Sequence, residues 1–300
     1  MVNKNFYLVV TGGAGFVGSN LIKHLLKFKK FKIISIDNYS SGSSSNHIKH
    51  KNIKYLRCKT ADIGKKLFKI KNKINAVFHF GEFARIYQSF KKFDQCFDSN
   101  SIGSMAVFKF CLENKIKLIY SATSASLGNG GRDKNLSPYA YTKAKNLELL
   151  ENFKKWFGFK YEVVYFYNVY GPRQISIGDM ATVIGIFENQ YKQKKPLTVV
   201  KPGTQSRRFT HIDDTIKVCI EAWKRNKNLH YSILSKKSYS IQKVAKLFKS
   251  KIKYLPKRQG ERYASALVRT SLSNKIVNRY GKIQLNNYIK EFLQNHSFTS

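Results

Sequence analysis

Thr11-Gly12-Gly13-Ala14-Gly15-Phe16-Val17-Gly18 closes an apolar run, Tyr7–Thr11, and opens a stretch with apolar residues at Val17, Leu21, Ile22, Leu25 and Leu26. The run reads as a buried strand and the 3.6-residue rhythm after it as a helix. Gly13, Gly15 and Gly18 fit the spacing GxGxxG, while Gly12, Gly15 and Gly18 fit GxxGxxG. Glycine at such a turn permits the tight bend and the close approach of backbone to a pyrophosphate. The helix N-terminus then offers free N–H groups and a positive dipole end to the anion. Asp37 ends the next apolar run, 19 residues beyond Gly18, near the ~20 at which a carboxylate grips an adenosine ribose. A carboxylate there repels a 2′-phosphate, so the pattern predicts NAD rather than NADP.

Outward from this loop, strand candidates recur at Tyr7–Thr11, Lys32–Asp37, Ala76–Phe80, Lys117–Ala122 and Glu162–Tyr167, with amphipathic stretches between them. Such alternation implies parallel βαβ units. The predicted class is therefore α/β, a doubly wound parallel (Rossmann) sheet with a smaller mixed C-terminal lobe. Residues 1–170 would form the NAD-binding domain and 171–300 the substrate lobe, with about 205–235 returning to the first domain. In the second half the reading is a helix near 180–193, a strand Leu197–Val200, a helix near 213–224 and a strand near 231–234. Ser40-Ser41-Gly42-Ser43-Ser44-Ser45 reads as a mobile loop.

At 300 residues and 42 % hydrophobic the chain holds enough apolar material for a core, which excludes a disordered protein. No run approaches the ~20 apolar residues of a spanning helix, and the N-terminus lacks a signal-peptide pattern. The four cysteines form no CxxC pair, so a reducing, cytoplasmic compartment is expected. The net charge is +38, from 55 basic and 17 acidic residues. That excess suits an anionic partner, but no nucleic-acid-binding signature is present and no specific nucleic acid is expected. His47 and His50 are spaced like metal ligands yet lack nearby Cys or carboxylate, so no metal is expected. His79 and His211, at predicted element ends, read as structural.

Pro138-Tyr139-Ala140-Tyr141-Thr142-Lys143 begins another helix, and Tyr139 and Lys143, four apart, share a face. A nearby ammonium stabilises a phenolate, which lets tyrosine act as a base well below its usual pKa of about 10. Tyr141 and Lys145 repeat the spacing, so the pair alone decides nothing. Upstream, Lys117-Leu118-Ile119-Tyr120-Ser121-Ala122-Thr123-Ser124 reads as a strand ending in hydroxyls, at the sheet edge where open α/β folds bind ligands.

Together these residues resemble the extended short-chain dehydrogenase/reductase superfamily, in particular its NAD-dependent nucleotide-sugar epimerases and dehydratases. The resemblance spans nearly the whole chain. It rests on the glycine loop, Asp37, Asp62-Ile63, His79, Tyr120–Thr123, Tyr139/Lys143, Tyr167 to Pro172, and Arg207 to Asp214. It implies Tyr139 as acid/base, Lys143 as the residue that holds the nicotinamide ribose and tunes Tyr139, and Thr123 (with Ser121 and Ser124 as competitors) as the hydroxyl on the reacting oxygen. It implies cofactor contacts from Gly12, Gly15, Phe16, Val17, Gly18, Asp37, Asn38, Phe80 and Lys143, with Asp62 and Ile63 receiving the adenine. Asn168, Arg207 and Arg258 would hold the nucleotide-sugar diphosphate, with Glu82 also on the substrate side. Helices near 87–112 and 141–157 would form a homodimer's four-helix bundle.

Two departures bear on the reaction. Where family dehydratases place an Asp-Glu pair after the strand-end Thr, this chain has Ser124 and Ala125. The small-residue stretch after the His reads Phe80-Gly81-Glu82-Phe83-Ala84-Arg85, adding an acid and a base where nicotinamide and sugar meet. The resulting expectation is an NAD-dependent nucleotide-sugar C4 epimerase working through a transient 4-keto sugar. One alternative is a 4-oxidase or 4-reductase that stops after one hydride transfer. The other is a non-catalytic NAD-binding or nucleic-acid-binding protein on the same fold.

Overall fold

The computed structural model describes residues 6–258 and 276–296, with backbone alone over 128–132. Its centre is an eight-stranded sheet. The strands are β1 (Phe6–Thr11), β2 (Phe31–Asp37), β3 (Ile53–Arg57), β4 (Ile74–His79), β5 (Lys117–Thr123), β6 (Tyr161–Phe166), and two later ones. Between β6 and those lie four short lobe strands, β7 (Val169–Tyr170), β8 (Leu197–Val200), β9 (Ser206–Arg208) and β10 (Thr210–His211). Then come β11 (His230–Leu234), β12 (Ser238–Ser240), β13 (Ile252–Leu255) and β14 (Ile276–Tyr280). The sheet order is β14-β11-β6-β5-β4-β1-β2-β3, and its neighbours pair in parallel. The doubly wound α/β class read from the sequence is the class observed.

The helices are α1 (Phe16–Leu25), α2 (Ile63–Leu67), α3 (Ile86–Lys91), α4 (Phe93–Phe97), α5 (Ser104–Glu113), α6 (Pro138–Phe157), α7 (Val183–Lys192), α8 (Ile212–Arg225), α9 (Ile241–Leu247) and α10 (Leu285–Asn295). Alternation along β1 divides the core. Leu8 and Val10 pack with residues of α1 and α8 on one face, and Val9 packs with residues of α5 and α6 on the other. Because both faces are covered, the central strands read as unbroken apolar runs. A third cluster, around Tyr170, Phe187, Leu197 and Phe248, is the core of the lobe. α8 and β11 join the large layer, as does β14.

Two local readings differ from the sequence. β3 lies at the sheet edge, half-exposed and carrying Lys54 and Arg57, so its apolar signal is too weak to read. The serine run is pinned: the Ser43 N–H donates to Ala14 O at 3.0 Å and Asn46 Nδ2 donates to the same oxygen at 2.9 Å.

Glu162 ties the layers together. Its side chain is fully buried, accepts from the N–H groups of Asn228 and Leu229 at 2.9 and 2.8 Å, and lies 3.6 Å from Lys117 Nζ. Lys117 in turn donates to the carbonyls of Ala222 and Trp223 near the C-terminus of α8, where a cation is favoured by the helix dipole. Glu162→Ala takes the counter-charge from the partly buried Lys117 ammonium and the acceptor from two N–H groups. The expected loss is about 3–5 kcal/mol of unfolding free energy, read from the shift of the urea midpoint.

Candidate active site

Register brings the functional strand ends to one edge. Thr11 lies beside Ile36 and His79, His79 beside Tyr120, and Thr123 beside Phe166. The strand order reverses at β1, and a cavity of about 510 Å³ opens over that edge, roofed by the lobe. Open α/β sheets bind ligands at this switch point.

The glycine loop forms one end of the cavity. Gly12 sits at φ +69°, and a Cβ there would lie 2.8 Å from the carbonyl carbon of Phe80. A Cβ on Gly18 would lie 2.1 Å from Gly12 O. α1 starts at Gly15 with no side-chain cap and no acid in its first turn, which leaves its N–H groups to an anion. Asp37 is buried at the end of β2. Its carboxylate accepts from the N–H groups of Ala14 at 2.9 Å and Tyr39 at 2.8 Å. Burial pushes its pKa above the ordinary carboxylate value, and those two donors oppose the shift. These features fit a dinucleotide. Gly12, Gly15, Phe16, Val17, Gly18, Asp37, Asn38 and Phe80 all line the cavity.

Asp62 and Ile63 do not line it. The turn Thr60–Asp62 leaves Asp62 exposed and sends Ile63 into the core, and the wall there is Cys58, Lys59, Thr60 and Ala61. If the expected pair meets adenine, it does so outside this cavity wall.

At the reacting end, α6 begins at Ser137, whose hydroxyl accepts from the Ala140 N–H at 3.1 Å, with Pro138 in the first turn and Gly158 ending the helix at φ +65°. These are favoured cap residues. Tyr139 and Lys143 face the cavity together with Ser121, Thr123 and Ser124. Thr123 Oγ1 accepts from the Ala125 N–H at 3.1 Å, which leaves its own proton to donate.

Glu82 departs from expectation. It lies in the cavity wall, but its carboxylate is engaged by protein donors. Oε1 accepts from Ser104 Oγ at 2.8 Å, Tyr120 OH at 3.0 Å and Asn146 Nδ2 at 3.0 Å, and Oε2 is bonded to Lys143 Nζ. Lys143 Nζ also donates to Ser121 O and lies 4.4 Å from the centre of the Tyr120 ring. The side chains of Lys143 and Glu82 are 5 % and 3 % exposed, so this is a buried ion pair. Burial lowers the Lys143 pKa, and Glu82 opposes that shift.

Asn168, Arg207 and Arg258 reach the cavity from the far side. Asn168 Nδ2 donates to Arg208 O at 3.0 Å, and the Arg258 guanidinium lies 5.4 Å from the Tyr87 ring centre. The sequence reading missed one wall feature, the segment from Ile175 to Val183, which has no motif. Arg85, read from the sequence as an added base near the reacting end, does line the cavity, and its Nε donates to Met180 O at 2.9 Å. His47 Nε2 lies 2.9 Å from Tyr39 OH and its ring stacks on Tyr55.

A sequence profile described as the NAD dependent epimerase/dehydratase family matches residues 8–234. The chain belongs to that family. A Bacillus subtilis (strain 168) protein called uncharacterized UDP-glucose epimerase YtcB is 33 % identical over 230 residues, 70 % of each chain. The Thermotoga maritima UDP-glucose 4-epimerase structure with UDP-glucose superposes with a TM-score of 0.84 at 25 % identity, covering 97 % of this chain and 99 % of that one. A UDP-N-acetylglucosamine 4-epimerase from Methanobrevibacter ruminantium, solved with UDP-N-acetylmuramic acid, gives 0.83 at 28 % identity, with coverage of 97 % and 99 %. As an epimerase/dehydratase family member the chain is an NAD-dependent enzyme of the extended short-chain dehydrogenase/reductase type. No helix among the described residues is long and apolar enough to cross a membrane.

A file of hydrogen bonds connects this family member's two cavity ends. Thr11 Oγ1 accepts from the N–H groups of Phe80 and Gly81 at 3.1 and 3.0 Å, so its proton points to His79 Nδ1 at 2.7 Å. His79 Nε2–H then donates to Ser104 Oγ at 2.9 Å, and Ser104 donates to Glu82. The ring is thereby held neutral, and burial pushes its pKa down to about 4 from an ordinary 6.5. Neutral His79 stabilises the fold fully above pH 6.5, and that contribution is lost as pH falls toward 4. The shift is worth ~3 kcal/mol. The urea midpoint should therefore drop between about pH 7 and pH 5, and His79→Gln should flatten that slope.

Proposed function

We propose that the enzyme is a nucleotide-sugar C4 epimerase. The observation that carries this reading is the convergence of Tyr139, Lys143 and Thr123 on one cavity between the glycine loop and the Arg207/Arg258 wall. Tyr139 as phenolate takes the proton from the C4 hydroxyl, and Thr123 donates to the same oxygen. NAD, when bound, supplies the acceptor and later the donor of the C4 hydride. The 4-keto sugar turns about its phosphate linkage, and Tyr139 returns the proton once hydride has re-entered from the opposite face. Arg207, Arg258 and Asn168 anchor the diphosphate meanwhile, through charge-assisted hydrogen bonds of the guanidinium groups. Ser124 and Ala125, both buried at the strand end, supply no carboxylate for eliminating water, which favours epimerisation over dehydration. The relatives named for UDP-sugars put uridine first among the bases to test.

The same reading includes a homodimer. Phe93, Ile102, Met105, Tyr141, Trp156 and Phe157 are exposed on or beside α4, α5 and α6, an apolar surface suited to a second copy. Sedimentation should give a particle of twice the 34.7 kDa chain mass. The buried, unpaired Cys96, Cys111 and Cys219 suit a reducing cytoplasm.

Purified enzyme with NAD and a panel of UDP-, GDP- and dTDP-sugars should invert C4 without net NADH. Accumulated keto sugar or NADH would instead assign a 4-oxidase. Tyr139→Phe should lower turnover by at least ~10²-fold while retaining NAD, and unchanged turnover would remove Tyr139 from the chemistry.

A further inference from the structure

We propose that Arg85 binds a carboxylate on the sugar, so that the substrate class is a nucleotide-activated acidic sugar such as a hexuronate. The inference deepens the epimerase reading above and rests on the sugar lying between Tyr139 and the lobe wall.

Hydrogen bonds tie Arg85 to both sides of that space. On the side of the reacting helix, the Arg85 carbonyl accepts from the Ser89 N–H at 3.2 Å, and Ser89 Oγ accepts from the Tyr139 N–H at 3.2 Å. On the lobe side, Arg85 Nε donates to Met180 O at 2.9 Å, and Nη2 is bonded to the same oxygen. Nη1 donates to Ala84 O at 2.7 Å. Arg85 therefore bridges the start of α6 and the Ile175–Val183 wall, and it lines the cavity together with Tyr139 and Met180.

Its acceptors are all neutral carbonyls, and it forms no ion pair among the described residues. The acids of the described cavity wall are engaged elsewhere. Glu82 is paired with Lys143, Asp179 lies 3.2 Å from Lys92, Asp98 lies 3.0 Å from Lys59, and Asp37 accepts from backbone N–H groups at the dinucleotide end. Burial works against the Arg85 charge, yet arginine does not lose its proton in proteins. A charge withdrawn from water without a counter-ion is costly, and an anionic ligand removes that cost. Three of the guanidinium's five N–H groups are occupied, which leaves one on each terminal nitrogen. A carboxylate takes such a pair in a two-point, charge-assisted bond. A primary alcohol in its place brings one oxygen and no charge.

The test measures binding by calorimetry to NAD-loaded Tyr139→Phe enzyme, which does not consume its ligands. The probes are UDP-glucuronate and UDP-glucose, which differ at C6 alone. The uronate should bind at least ~10-fold tighter, as expected of a hydrogen-bonded charge pair. Adding Arg85→Met should abolish that preference by weakening the uronate and leaving UDP-glucose unmoved, whereas Arg85→Lys should keep part of it. Equal affinities before Arg85 is changed overturn the proposal, as does an Arg85→Met loss shared equally by both sugars, which would make Arg85 a brace for the wall. Should Arg85→Met fail to fold, the preference itself and its reduction by Arg85→Lys decide. Should neither uridine compound bind, GDP-mannuronate and GDP-mannose make the same comparison, and no preference there overturns the proposal. Arg85-dependent binding of the uronate to an enzyme that, with Tyr139 intact, turns over no nucleotide sugar would sink the epimerase reading and leave this inference standing. Epimerisation without preference for the acidic sugar would do the reverse.

Discussion

The hydrogen-bond file from Thr11 through His79 and Ser104 to Glu82 and Lys143 is the constraint on which the site depends. It begins where β1 hands the chain to the glycine loop and ends on α6, the helix that carries Tyr139. Each member is buried and each has its partner, so the relative position of cofactor loop and reacting helix is set by groups that cannot turn to water. A half-satisfied network of this kind destabilises more than an apolar one, because every orphaned group bears its desolvation penalty. The direction of the file is also fixed. Two backbone N–H groups occupy Thr11 Oγ1, and that single fact sets the imidazole tautomer and delivers a donor to Glu82.

The sign of charge along the cavity follows from this arrangement. The dinucleotide end carries Asp37, held by backbone N–H groups rather than by a cation. The opposite wall carries Arg207 and Arg258. Between them the Glu82–Lys143 pair contributes no net charge. The chain total of +38 is therefore a poor guide to the charge in the cavity wall, where Lys59 and Lys143 are the lysines among the described lining residues, each paired with a carboxylate.

What was legible in the sequence was local. Gly12 and Gly18 have fixed offsets from β1, Asp37 ends the next strand, and Tyr139 and Lys143 share a helical face, so short-range spacing places all of them. Glu82 was visible as an oddity and its role was not, because its partners come from α5 (Ser104), β5 (Tyr120) and α6 (Lys143 and Asn146). No window of sequence holds that information. The Ile175–Val183 wall was hidden for the same reason, its position being set by the packing of the lobe. The serine run looked loose because composition says nothing of Ala14 O, 29 residues away from Ser43, which anchors it.

Four donors on one carboxylate have a further meaning. Ser104, Tyr120 and Asn146 crowd Oε1 of Glu82, and the Lys143 ammonium stands on Oε2. That carboxylate therefore serves first as mortar between β5, α5 and α6, and the cavity wall it occupies keeps its shape before any ligand arrives.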